Sequence, residues 1–131
     1  MNQDITSKED IEHLVDSFYK KVVLDDVIAH FFTSVVKLSW EKHIPIMHQF
    51  WGSVLLGLGT YNGNPMNVHM ALNEKSKLET HHFERWFHLW KETVDELFAG
   101  STAEQAKNKA QSMAFLIQSK IDRSSKPGFV H

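Results

Sequence analysis

Residues 57–79 read GLGTYNGNPMNVHMALNEKSKLE, and this stretch separates a chain that merely fills its own core from one that holds something. Its first part, Gly57 to Pro65, carries three of the six glycines and an Asn-Gly pair, the composition of an irregular loop. Asn-Gly also suits a hairpin turn, but no alternating strands flank it. Asn64 as N-cap and Pro65 at the first helical position then open a very short helix that reaches about Leu72. The polar run Asn73 to Glu79 makes a second linker. A plain helical bundle rarely inserts a glycine loop, a short helix and a further linker between its long helices, whereas short helices hung on loops commonly hold a bound group.

His69 lies in the middle of that short helix among Met66, Val68, Met70 and Leu72. A lone imidazole in apolar company is first a satisfied core residue and only second a metal ligand. No HxxxH pair supports a site built from several side chains, so a single ligand suffices only where a macrocycle supplies the other donors.

Outward from this segment the chain is helical. Upstream, Thr6 and Glu9 form a capping box, and Ile11, Leu14, Val15, Phe18, Val22 and Val23 recur on one face of a long amphipathic helix. Asp25 and Asp26 break that pattern before an apolar knot of Val27, Ile28, Phe31 and Phe32, a brief helix or turn. Ser39 is an N-cap for a second long helix to about Gly57, with Trp40, Ile44, Met47, Trp51, Leu55 and Leu58 on one stripe. Pro45 predicts a kink in it, or a true start near His43. Downstream, Thr80 caps a helix to about Ala99 with Phe83, Trp86, Phe87, Trp90, Val94, Leu97 and Phe98 at helical period, and Gly100 ends it. Ser101 and Thr102, followed at capping-box spacing by Glu104 and Gln105, start the last helix, whose stripe is Ala106, Ala110, Met113, Ala114, Ile117 and Ile121.

With 131 residues, 42% of them hydrophobic, the chain has the size of one domain, 1–131, with a core over about 6–122 and a fraying tail over 123–131. A net charge of −2 gives no basic stripe for nucleic acid. There is no cysteine, so metal chemistry falls to His, Asp, Glu or Met. The N-terminus MNQDITSKED is no signal peptide and no apolar run spans a membrane, so a cytoplasmic location is expected.

Several side chains offer donors to a cavity. His43 stands one turn before Met47 and two before Trp51. Tyr19 sits just off the first apolar stripe, and Trp86 lies on the strongest one, where a buried indole N–H requires an acceptor. The remaining histidines, His13, His30, His48, His81, His82, His88 and His131, read as exposed titrating groups, although His81, His82 and His88 are also within reach of acidic groups on a bound cofactor.

Order and spacing of short fragments carry more than any one of them. FY at Phe18 and Tyr19, FF at Phe31 and Phe32, WEKH at Trp40 to His43, FW at Phe50 and Trp51, YNGNP at Tyr61 to Pro65, His69, and FERW at Phe83 to Trp86 follow one another along the chain. In this the sequence resembles the group III truncated haemoglobins of bacteria, from about Ile11 to Ile121. The resemblance implies an all-α, globin-like two-over-two helical sandwich around haem b. It implies His69 as the iron ligand, with Phe32, His43, Met47, Trp51 and Trp86 also against the haem. Tyr19, His43 and Trp86 would face a bound diatomic gas (O2, NO or CO). Pro45 departs from the pattern in the distal helix, where a kink turns His43 toward or away from the iron. The implied activity is gas binding, O2 foremost, with turnover of NO or peroxide through an unidentified reductase. The competing readings are a gas sensor or carrier without turnover, and a helical interaction module without cofactor.

Overall fold

A computed structural model describes residues 2–32, 40–59, 61 and 63–125. Five helices follow one another: α1 Lys8–Val22, α2 Trp40–Leu56, α3 Pro65–Lys75, α4 Thr80–Leu97 and α5 Ser101–Ser125. Helix α1 packs on α2 and α4 on α5, the two pairs meet where α1 lies on α4, and α3 rests against α5. Among the described residues there is no strand, and no helix is long and apolar enough to cross a membrane.

The apolar stripes become the core. Ile11, Leu14, Val15, Phe18 and Val22 of α1 are buried against Trp90 and Val94 of α4, with Ala106, Ala110, Ala114, Ile117 and Ile121 of α5 in the same cluster. The Trp90 indole N–H donates to the Ala106 carbonyl at 3.1 Å, so the alanines that let α4 and α5 approach also expose the acceptor. Two stripe members lie outside the core. Val23 falls at the C-cap of α1 and is 38% exposed, and Leu58 lies beyond α2 and is 46% exposed.

Helix ends differ from expectation in instructive ways. Helix α1 is capped one residue later than Thr6, by Ser7, whose Oγ accepts the Asp10 N–H, while the Asp10 carboxylate accepts the amides of Ser7 and Thr6. The short Asp10 side chain reaches both amides, a role the sequence pattern assigned to Glu9. The Ser39 cap lies outside the described residues. Pro45 does not break α2, which is continuous from Trp40 to Leu56, and Gly57, at φ 67°, closes it in the left-handed region with its N–H on the Ser53 carbonyl.

Helix α3 starts at Pro65 as expected but runs to Lys75, beyond Leu72. Neither glycine nor proline stops it, and Asn73 Oδ1 accepts the Leu78 amide to turn the chain. In α4, Thr80 is the first helical residue rather than the cap, and the helix ends at Leu97. Helix α5 is capped not by the hydroxyls of Ser101 and Thr102 but from the other end of the chain. The Asp4 carboxylate accepts the amides of Thr102 at 2.9 Å and Ala103 at 2.8 Å. Gly100 has φ 142°, and a Cβ there would stand 2.5 Å from Asp4 Cγ, so this approach requires glycine.

Candidate functional site

The helices enclose a cavity of about 420 Å³ whose wall is mostly apolar and aromatic. Every residue singled out from the sequence reaches it: Tyr19 from α1, Phe32 from the turn after α1, His43, Met47 and Trp51 from α2, His69 from α3 and Trp86 from α4. Helix periodicity explains the convergence, because Tyr19 follows the buried Phe18, and His43, Met47 and Trp51 succeed one another at one-turn intervals on α2.

One side of the cavity is a contiguous set of rings. Tyr19 is buried, and its hydroxyl lies 3.1 Å from His43 Nε2, the two rings meeting edge to face with centroids 5.2 Å apart. Phe32 completes this group at 5.8 Å from Tyr19 and 6.2 Å from His43. Phe18 touches Tyr19 at 5.0 Å and Trp86 at 6.0 Å. Trp86 lies parallel to Trp90 at 6.4 Å, and Trp90 stacks on Trp51 at 4.3 Å.

Burial pushes the Tyr19 phenol well above its ordinary range and holds the His43 imidazole below its own. Near neutral pH the pair is therefore an O–H and a neutral ring. Among the described residues the Trp86 indole N–H has no protein acceptor, in contrast to Trp90. His69 is half-buried and comes to the wall on α3.

Other residues line the same space without having been put forward for it: Phe31, Phe50, Tyr61 and Phe83 stand in the family fragments with no role of their own, and Ile28, Met113, Ala114 and Ile117 look on sequence like any other core position. His82 is a correction. It is half-buried on the cavity wall rather than exposed, its edge meets Phe31 at 4.7 Å, and its Nδ1 accepts the Glu79 amide at 2.9 Å. Burial, and next the neighbouring His81, lower its pKa. His48 is also more than a surface group, pairing through Nε2 with Asp16 Oδ1 at 2.8 Å and so joining α2 to α1.

Donor atoms of Glu79, His81 and His82 lie within 4.8 Å of one another. The lone pair of His82 Nδ1 is occupied by the helix-capping amide, and the positive end of the α4 dipole opposes a cation there. This grouping serves the helix start.

A mostly apolar and aromatic space of this size, with the imidazoles of His43, His69 and His82 among the polar groups on its wall, fits haem, because the macrocycle supplies four of the iron's ligands and one imidazole suffices for the fifth. The sequence matches the family model described as bacterial-like globin over residues 2–120. The chain belongs to the bacterial-like globin family. This globin is 27% identical over 124 residues to the group 3 truncated hemoglobin ctb of Campylobacter jejuni, covering 92% of this chain and 95% of that protein. Its structure matches the crystal structure of the group III truncated hemoglobin from Campylobacter jejuni with a TM-score of 0.83 at 26% identity, covering 96% of this chain and 99% of the other. The expected all-α truncated-globin fold is thus observed, and the cofactor-free interaction module is set aside: this is a haem-binding, ligand-binding globin.

Proposed function

We propose that this globin binds haem b through His69 and retains a diatomic gas, O2 foremost, on a face lined by Tyr19, His43 and Trp86. The observation that carries this reading is the meeting, in one cavity, of an imidazole from α3 with hydrogen-bonding groups from α1, α2 and α4. When bound, haem supplies an iron that takes a diatomic gas and lends it electron density. Phe32, Met47 and Trp51 offer flat or soft apolar surface to the macrocycle and keep water out.

Tyr19 stays protonated because its phenol pKa is raised, so its hydroxyl is a donor at any physiological pH. His43 stays neutral, and with its proton on Nε2 it donates to the Tyr19 oxygen, which leaves the hydroxyl hydrogen to point into the cavity. The Trp86 N–H is available as a second donor from α4. Donors of this kind in a water-poor pocket slow gas release by about one to two decades, roughly 1 to 3 kcal/mol each. Slow release suits chemistry on the retained gas, NO oxidation or peroxide reduction with an external reductase, better than delivery.

Replacement of the axial ligand is the direct test. His69→Gly should lose the wild-type ferrous and ferric absorption spectra and regain them on addition of imidazole. A variant with an unaltered spectrum would remove His69 from the iron. Sustained NO consumption over many turnovers with a reductase present separates an enzyme from a sensor or carrier.

A further inference from the structure

The turn that follows α1 carries Ile28, Phe31 and Phe32 into the cavity, and it hangs on one acidic side chain. Asp25 is 7% exposed. Its Oδ2 accepts the amides of Val27 at 3.1 Å and Ile28 at 3.2 Å, and its carbonyl accepts the Ala29 amide at 3.0 Å. The other carboxylate oxygen accepts Arg85 Nε at 2.6 Å, across 60 residues of sequence. Arg85 lies on α4 next to Trp86. Phe32, at the far end of the turn, touches both Tyr19 and His43.

We propose that the Asp25–Arg85 pair is a positioning device that sets the Phe31–Phe32 wall and the Trp86 helix against each other, and so fixes the geometry of the gas-facing side of the pocket. Stability alone does not require such a pair. Asp25 is buried but the Arg85 side chain is 39% exposed, and an ion pair open to water on one side contributes little to stability. A charge-assisted bond from a planar guanidinium to a carboxylate that is already tied to two amides adds direction, which apolar contacts do not. The pair joins two elements that share the cavity and also meet through the Phe31 and His82 rings, so a slip between them alters the space around Tyr19, His43 and Trp86 without unfolding either.

The inference rests on Tyr19, His43 and Trp86 facing the gas, and the experiment separates the two claims. The haem-loaded wild type is compared with Asp25→Asn, Arg85→Gln, Arg85→Lys and Tyr19→Phe. Asp25→Asn keeps a carbonyl oxygen for the Val27 and Ile28 amides while removing the charge that Arg85 meets. The readouts are the infrared C–O stretching band of the carbon monoxide complex, the O2 dissociation rate and the guanidinium chloride midpoint. Lys107→Met, which breaks an ion pair to Asp95 on the surface, is the control for a general loss of stability.

Asp25→Asn and Arg85→Gln should split or displace the C–O band and raise the O2 dissociation rate about threefold or more, whereas Lys107→Met should leave both as in the wild type. Arg85→Lys, which keeps the charge, should lie between. If Asp25→Asn and Arg85→Gln lower only the midpoint while band and rate stay at wild-type values, the pair is structural and the proposal is overturned. An unaltered band and rate in Tyr19→Phe instead overturns the gas-facing reading, whichever way the Asp25 and Arg85 variants fall.

Discussion

Tyr19 and His43 illustrate how burial prepares two ordinary side chains for a polar task. The phenol is raised and the imidazole lowered, both because the interior disfavours charge, so both stay neutral through the neutral range and one hydrogen bond of 3.1 Å joins them. Tyr19→Phe and Trp86→Phe should each speed O2 release by roughly 10-fold or more in stopped-flow mixing, and unchanged rates in both would take these residues off the gas. The imidazole also makes a prediction about acid. Its folded pKa lies below the unfolded value of about 6.5, so the stability it contributes is whole above that value and is lost as pH falls from about 6.5 toward the folded pKa. His82 acts in the same sense. His43→Gln should therefore flatten the decline in urea midpoint below about pH 6.5, with His82, and Asp4 and Asp10 in stronger acid, accounting for the slope that remains. All seven residues put forward for the site from sequence reach the cavity; six stand in fragments that follow a known family order, and Met47 lies one turn from His43 on the same helix face. Asp25 and His82 had no such order to reveal them, since their roles depend on partners that only the fold brings near.

At the level of elements, apolar period and helix ends obey different rules. The stripes of α1, α4 and α5 were legible because one face of each helix is buried along its length, and period 3.6 records that. Caps were misread where the capping group is not local. Ser101 and Thr102 form a plausible capping box, yet the α5 amides are taken by Asp4, 98 residues from Thr102. No local pattern encodes that partner. Burial raises the pKa of the Asp4 carboxyl, but the amides of Thr102, Ala103 and Ile5 more than offset this and hold it below the ordinary carboxylate range. Asp4→Ala should cost on the order of 1 kcal/mol in guanidinium chloride unfolding above about pH 4, and wild type and variant should converge in more acid solution, where the carboxyl is protonated in both states. A constant difference across that range would mean that the side chain acts by packing alone. Pro45 gives the opposite lesson, for α2 starts at Trp40 with the proline inside it, not near His43 as the proline allowed.

For the whole molecule the deciding quantity is the cavity. A space of 420 Å³ that opens to solvent does not stay empty, so the chain without haem admits water or lets its walls relax. The walls differ in what else holds them. Helices α1, α4 and α5 share the Ile11, Leu14, Trp90, Val94 and Ala106 core and keep it whether or not the cavity is filled. Helix α3 has 11 residues, too few to be stable by itself, and rests against α5 beside a long loop. Haem removal should therefore release α3 first. Hydrogen exchange of the haem-free protein should show loss of protection in 65–75, with α4 and the first half of α5 within a few-fold of the loaded protein. Added haem should raise the unfolding midpoint in proportion to the logarithm of its free concentration, about 4 kcal/mol at a thousand times the dissociation constant. Equal protection of α3 in both forms would mean that the α3 wall is preorganised. In that case relaxation would have to occur on the α1 and α2 side, where Tyr19 and His43 already hold each other.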